Sequence, residues 1–379
     1  MMTAMQHPTT LRKRFMIRLI AQYLVKHIDS FLMGCLFITL LVGLFVLYSA
    51  SGQNFDKVGS QFANILVAMG AMWVVANIPP QHLQRVALPL YVFGVILLLG
   101  VFLFGEISHG ARRWLHLGVV RIQPSELMKI AVPMLLAWYF AKRDNIPKLS
   151  DHFIGAVLLA IPVLFIMKQP DLGTSLLIAA SGFFVLFLAG LSWKLLIGGA
   201  VLVSASAPIL WNLLHDYQRR RIEILFDPYQ DPLGSGYHTI QASIALGSGG
   251  IAGKGWLQGT QSQLDFLPER TTDFIFAVFG EEFGLLGNCL LLLLFTLIIA
   301  RGLVIAAQAQ NTFCRLLAGS ITLTFFTYIF VNIGMVSGIL PVVGVPLPLI
   351  SYGGTSLLSL MLGFGILMSI QTHKKLVTT

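Results

Sequence analysis

The chain has 379 residues, 56% apolar and 11% charged, with a net charge of +9 and a mean hydropathy of +0.80. Its charged share is about half the globular norm, which excludes a soluble α-protein. The surplus positive charge sits mostly at the ends of apolar segments, so it marks topology and is weak grounds for a nucleic-acid partner.

Residues 1–30 form a basic N-terminus. The stretch 11–28 mixes Arg and Lys with Phe15, Ile17, Leu19, Tyr23 and Leu24, which suits a helix lying on a membrane surface or an ordinary basic tail. It runs into an apolar segment long enough to span, with no small-x-small cleavage site, unlike a secretory signal. Ten apolar stretches follow, at 31–48, 62–78, 86–104, 125–140, 153–167, 173–189, 195–214, 274–300, 316–336 and 349–370. A bilayer crossing needs about 20 residues. The predicted fold class is therefore an all-α polytopic membrane protein of about ten transmembrane helices. Spans one to seven occupy 31–214, a long loop 215–272, and spans eight to ten 273–371; 372–379 is a tail. No repeat or composition shift separates a soluble domain. Cys35, Cys289 and Cys314 lie in or beside apolar spans without metal-like spacing.

With ten spans both termini share a side, and that side holds 14 Lys and Arg against 5 in the short loops opposite. The positive-inside bias puts both ends in the cytoplasm and the 215–272 loop outside. A loop of that length in a compact protein is usually functional.

Charge near the outer face falls in a few clusters. Arg112 and Arg113 precede Trp114; Arg121 follows, and then Gln123-Pro124-Ser125-Glu126-Leu127-Met128-Lys129. Glu126 and Lys129 are three apart on a helix that Pro124 would start, so they share a face. Lipid would make that pair costly, so it should point into the bundle, as a plain ion pair pinning two helices or as part of a site. Asp171, in Gln169-Pro170-Asp171-Leu172-Gly173, suits a helix cap as well as a substrate contact. Arg219 and Arg220 lie in the basic start of the long loop. Further on, Gly253-Lys254 imitates a phosphate-binding loop, but Ser248 and Gly255 stand where that motif needs Gly and Ser/Thr. The loop ends in Phe266-Leu267-Pro268-Glu269-Arg270-Thr271-Thr272-Asp273, where Asp273 meets the eighth span beside Arg270. A carboxylate there is a functional-site candidate, fit to act as general base toward a hydroxyl. Glu281 and Glu282 lie about 12 Å deeper at helical rise and suit a structural or hydration role. Three prolines in 341–349, and Gly353-Gly354 after Ser351, predict a non-helical entry into the last span. Such broken backbone either borders a cavity or packs helices. No Ser/His/Asp set or metal-binding His pair is visible.

These separated motifs resemble the SEDS family (shape, elongation, division and sporulation) over nearly the whole length. They are Arg112-Arg113-Trp114, Gln123 to Lys129, Gln169 to Gly173, Phe266 to Phe274, and Pro346 to Ser356. Pro268-Glu269-Arg270 before Thr-Thr-Asp, and Gly338 to Pro346, resemble the rod-elongation branch more than the division branch; Thr271 stands where elongation members often have His. The resemblance implies a peptidoglycan glycosyltransferase of the bacterial inner membrane. It would polymerise lipid II, an undecaprenyl-pyrophosphate-linked disaccharide peptide, on the periplasmic side. It implies Asp273 as the base, with Glu126 and Lys129 in the same cavity. Arg112, Arg113, Arg121, Arg219, Arg220, Arg270, Asp171 and Ser351 are supporting candidates. A divalent cation, Mg2+ or Mn2+, is left open as a helper against pyrophosphate charge. The implied partners are a class B penicillin-binding transpeptidase and the MreB-linked elongation machinery. The rivals are a lipid II flippase, for which paired halves with broken helices are the expected sign and are not evident, and a scaffold.

Overall fold

The computed structural model describes residues 26–108, 111–117, 120–143, 147–213, 216–232, 234, 236–264 and 266–374. Most of the basic N-terminal stretch and the last residues of the tail lie outside them. Helices α1 (Ser30–Ala50), α2 (Phe55–Ala76) and α3 (Pro80–Phe104) come first, followed by strands β1 (Glu106–Ser108), β2 (Ala111–Leu117) and β3 (Val120–Ile122). Next are α4 (Pro124–Ala141), α5 (Leu149–Met167), α6 (Leu172–Leu188) and α7 (Trp193–Leu213). The long loop holds α8 (Asp216–Phe226), a 3-10 turn (Pro228–Gln230), α9 (Tyr237–Ser248) and the single turn α10 (Thr260–Gln263). The chain closes with α11 (Ile275–Ala307), α12 (Thr312–Val336) and α13 (Gly354–Thr372).

Each predicted span falls on a helix. Helices α1, α2, α3, α5, α11, α12 and α13 make 7 that are long and apolar enough to cross a membrane. Leu172–Leu188 and Trp193–Ile209 are shorter apolar helices, and α4 carries Glu126 and Lys129. The polytopic all-helical class stands, with ten as an approximate count of crossings. Polar caps start several of these helices: Leu32 N–H donates to Asp29 at 2.8 Å, and Cys314 N–H to Asn311 at 2.8 Å. Such caps satisfy helix-end donors at the bundle's edges, where the apolar runs supply none.

Helix α12 is the hub: 67% of its most apolar window is buried, against 22% for α2 and α5. Outward faces stay apolar, with Phe93, Ile96, Leu286, Leu290 and Leu293 exposed, as lipid requires and water would not favour. Helix α7 buries none of its described side chains.

Two features were not legible as elements. The strands between α3 and α4 form an antiparallel sheet in the order β1-β2-β3, with Glu106 opposite Trp114 and Leu115 opposite Ile122. Strands β1 and β3, of three residues each, are too short to show a period-two signal, and Arg112-Arg113 breaks the alternation in β2. The other is a break in α11. Gly284 has φ 64° and ψ −161°, a backbone that only glycine adopts freely. The groups freed by the break are taken by the glycine-rich loop. Lys254 N–H and Gly255 N–H donate to the Glu281 and Glu282 carbonyls at 3.0 Å, and Leu285 N–H donates to the Gly250 carbonyl at 2.9 Å. That loop packs the broken helix, and its close backbone approach leaves no room for a Cβ at Gly249 or Gly253.

Candidate active site

Asp273 is the last residue before the cap of α11. Burial, then the Glu269 carboxylate, push its carboxyl up to about 6, against the downward pull of the Arg113 and Arg221 guanidiniums. The acid is thus ionised at neutral pH yet basic enough to take a proton, the compromise a general base needs. A Cβ built on Gly344, which has φ +74°, would lie 3.5 Å from Asp273 Oδ2, so the loop after α12 forms one wall.

That wall is tied to the other elements. Arg221 of α8 donates to the Val342 carbonyl at 2.7 Å. The start of α6 presses on it, since a Cβ on Gly173 would meet the Val343 carbonyl oxygen at 2.7 Å. Asp171 caps α6 by accepting from Thr174 N–H at 3.1 Å and also pairs with Arg113 Nε at 3.4 Å. Asp171 is therefore both a cap and a contact. Behind Asp273, Ser351 donates to the Thr272 carbonyl at 2.6 Å and accepts from Leu347 N–H at 2.8 Å. Gln61 of α2 braces the same turn, donating to the Ser351 carbonyl at 3.3 Å and accepting from Gly353 N–H at 3.2 Å. The stretch from Pro341 to Gly353 is non-helical, as its prolines and glycines predict.

Glu126 and Lys129 do point into the bundle. Lys129 Nζ donates to Glu126 at 2.7 Å, Ser359 of α13 donates to the other carboxylate oxygen at 2.6 Å, and the ammonium lies 5.2 Å from the Tyr328 ring centre. Tyr328 is one turn, roughly 6 Å, along α12 from Asn332, whose amide donates to the Asp273 carbonyl. The pair is thus the floor of the site, about one helical turn below the acid.

The remaining arginines are placed elsewhere. Arg219 donates to the Trp211 and Asn212 carbonyls at 2.9 and 2.8 Å, closing the end of α7. Arg220 pairs with Asp231 at 2.7 Å, and both arginines line a surface groove of about 450 Å³. A guanidinium nitrogen of Arg270 lies 3.7 Å from a Cβ built on Gly52, at the α1–α2 turn. The side chains of Arg112 and Arg121 lie outside the described residues. Arg221, Glu269 and Asn332 were not singled out in the sequence. In a run of three arginines only one faces a given neighbour, at about 100° per helical residue, and the sequence does not say which. Glu281 is held by Lys254 at 2.8 Å, Thr260 at 3.0 Å and Gln261 N–H at 3.1 Å, and Ser49 donates to Glu282. Both acids take the structural role expected of them. Among the described residues no three His, Cys, Asp or Glu side chains converge to hold a metal ion.

Comparison with known proteins bears on this arrangement. Residues 29–376 match the family model for FtsW, RodA and SpoVE, described as cell cycle proteins. The chain is 55% identical over 353 residues to the peptidoglycan glycosyltransferase MrdB of Escherichia coli K12, covering 93% of this chain and 95% of that one. It superposes at a TM-score of 0.80, with 30% identity, on a chain from a structure described as coordinating polymerization and crosslinking in a peptidoglycan synthase complex; 90% of this chain and 97% of that one are covered. The rod shape determining protein RodA of Thermus thermophilus matches with a TM-score of 0.69 and 26% identity, over 90% and 96% of the two chains.

Proposed function

The chain belongs to the FtsW/RodA/SpoVE family of cell cycle proteins, and from that premise we propose that Asp273 is the base of a peptidoglycan glycosyltransferase. The observation that carries this reading is one carboxyl, held half-buried at the head of α11 between Gly344 and the Arg113 and Arg221 guanidiniums. The substrate is lipid II. Asp273 takes the proton from the 4-hydroxyl of the acceptor GlcNAc; that oxygen bonds to the anomeric carbon of the donor MurNAc, and the bond to the lipid pyrophosphate breaks. An α-linked pyrophosphate becomes a β-1,4 glycosidic bond. The step is an inversion in which a sugar hydroxyl takes the place of water.

The leaving pyrophosphate needs charge stabilisation. Arg113 and Arg221 supply it, and the Gln169 amide nitrogen is buried and unpartnered among the described residues, one residue before Pro170, whose carbonyl accepts from Arg113. Among the described residues no three His, Cys, Asp or Glu side chains converge as a cation site, and the step is written without one. Lys129 is neutralised by Glu126 and serves as the floor of the site.

The Asp273 end of the bundle faces the periplasm across the bacterial inner membrane, with both termini in the cytoplasm. A transpeptidase of the class B penicillin-binding type cross-links the strands, within MreB-linked elongation machinery. The likeness to a synthase complex supports that partner. The test is polymer formation from fluorescent lipid II by the purified protein with its transpeptidase. Asp273→Ala should make none; polymer made at the unaltered rate would return the chain to lipid II transport or to another base.

A further inference from the structure

We propose that Asn332 is a positioning residue for the transfer reaction, holding Asp273 at a fixed height against the Gly344–Val345 wall. This rests on the reading of Asp273 as the base. Asn332 lies near the end of α12 and has no exposed surface. A fully buried amide in an apolar bundle is costly unless its hydrogen bonds are made. Both of its N–H groups are used, Nδ2 donating to the Asp273 carbonyl at 2.8 Å and to the Val345 carbonyl at 2.7 Å, while Oδ1 is buried without a partner among the described residues. Those carbonyls belong to the two segments that flank the carboxyl, the residue that bears it and the wall it faces. One amide therefore sets the distance between them.

Its neighbours complete a clamp. Three successive carbonyls each accept a different donor: Thr271 from Tyr352 N–H at 2.9 Å, Thr272 from Ser351 at 2.6 Å, and Asp273 from Asn332. Ser351 and Tyr352 come from one turn, so they move together. Asn332 ties this turn to α12, the most buried of the candidate spans. Around it on that helix Val331, Met335 and Val336 are buried and apolar and carry no donors of their own. Without it both carbonyls are freed, and the Asp273 main chain can turn the carboxyl away from the wall. Misplacement of a reacting group by about 1 Å costs roughly 100-fold in rate.

The experiment uses the full-length chain with its transpeptidase in lipid nanodiscs, given fluorescent lipid II. Asn332→Leu keeps the branching of the side chain and removes both donors. The expected result is a fall of roughly 10- to 100-fold in the rate at saturating substrate, with KM changed by less than about twofold. The acid limb of the pH–rate profile should also move to lower pH, as the loosened carboxyl gains water. A merely structural amide would lower the amount of folded protein and leave the profile of the survivors unmoved. Asn332→Ser, smaller and with one donor, runs beside it in case the leucine variant does not fold. Wild-type rate and profile in either folded variant overturns the proposal. So does failure of both to fold, which would make the amide purely structural. Asp273→Asn in the same assay separates the two readings: if it is active the base assignment falls, and if it is dead while the Asn332 variants are normal, only the positioning role falls.

Discussion

Asp273 occupies a place that costs the protein stability. Its carboxyl is harder to ionise in the folded chain, with a value of about 6 set by burial and Glu269, than in water, where an Asp titrates near 4. The folded state therefore holds the proton more tightly. Below the ordinary Asp value this costs nothing; as pH rises from about 4 to about 6 the fold loses on the order of 3 kcal/mol, and no more above that. Replacing the acid with its neutral isostere removes that cost. Asp273→Asn should lower polymerisation by at least roughly 100-fold while raising the melting temperature at pH 7, both measurable on one detergent preparation. A melting temperature that fell would show the carboxylate to be stabilised by the arginines after all. The same shift predicts a pH profile: glycan synthesis should rise with pH through about 6, as the base loses its proton. Arg221→Ala removes one of the two charges pulling this value down, so the acid limb should move to higher pH, and turnover should fall because the leaving group loses a partner.

At the scale of elements, the break in α11 explains why so many glycines cluster outside the membrane spans. A helix interrupted at Gly284 exposes carbonyls and amides that lipid cannot satisfy, and the loop from Gly250 to Gly255 supplies their partners. Lys254 and Glu281 fasten that loop with a pair in which the acid is wholly buried. Removing one partner of such a pair leaves a buried charge uncompensated. Lys254→Ala should therefore lower stability by about 3 kcal/mol, read as an earlier thermal transition, whereas Glu281→Gln with Lys254→Met together should recover much of it. Gly284→Ala should be worse than either single change, since its Cβ would meet the Gly253 backbone at a positive φ. A thermal transition unmoved by Gly284→Ala would mean that the break is not needed. The Asp171 cap, by contrast, could be placed from sequence, because a cap needs only a local side chain.

At the scale of the whole molecule, orientation can be tested without activity. In a chain lacking Cys35, Cys289 and Cys314, Lys57→Cys sits exposed at the Asp273 end and Arg315→Cys exposed at the other. A membrane-impermeant maleimide added to intact spheroplasts should label the first and spare the second; the reverse pattern would invert the topology and exclude a periplasmic site. The unpacked helix α7 stands at the same scale. It buries no described side chain, so cysteine pairs joining it to neighbours should cross-link poorly in the isolated chain.

Hydropathy alone determined the class, the spans and their order, because a bilayer imposes a length of about 20 apolar residues on any crossing and that constraint is written locally. The prominence of Asp273, of the Glu126–Lys129 pair and of the broken entry to the last span was legible for the same reason: charge, Pro and Gly are rare where lipid surrounds them. Tertiary structure alone decided which arginines lie near Asp273. Arg113 and Arg221 reach the field of Asp273, while Arg219 and Arg220 turn to α7 and Asp231, because neighbours in a helix point in different directions and only packing says which direction holds the acid. It also decided the role of Asn332, an unremarked polar residue in an apolar run, whose two partners lie 59 and 13 positions away in the chain. A contact between segments so distant leaves no trace in local composition.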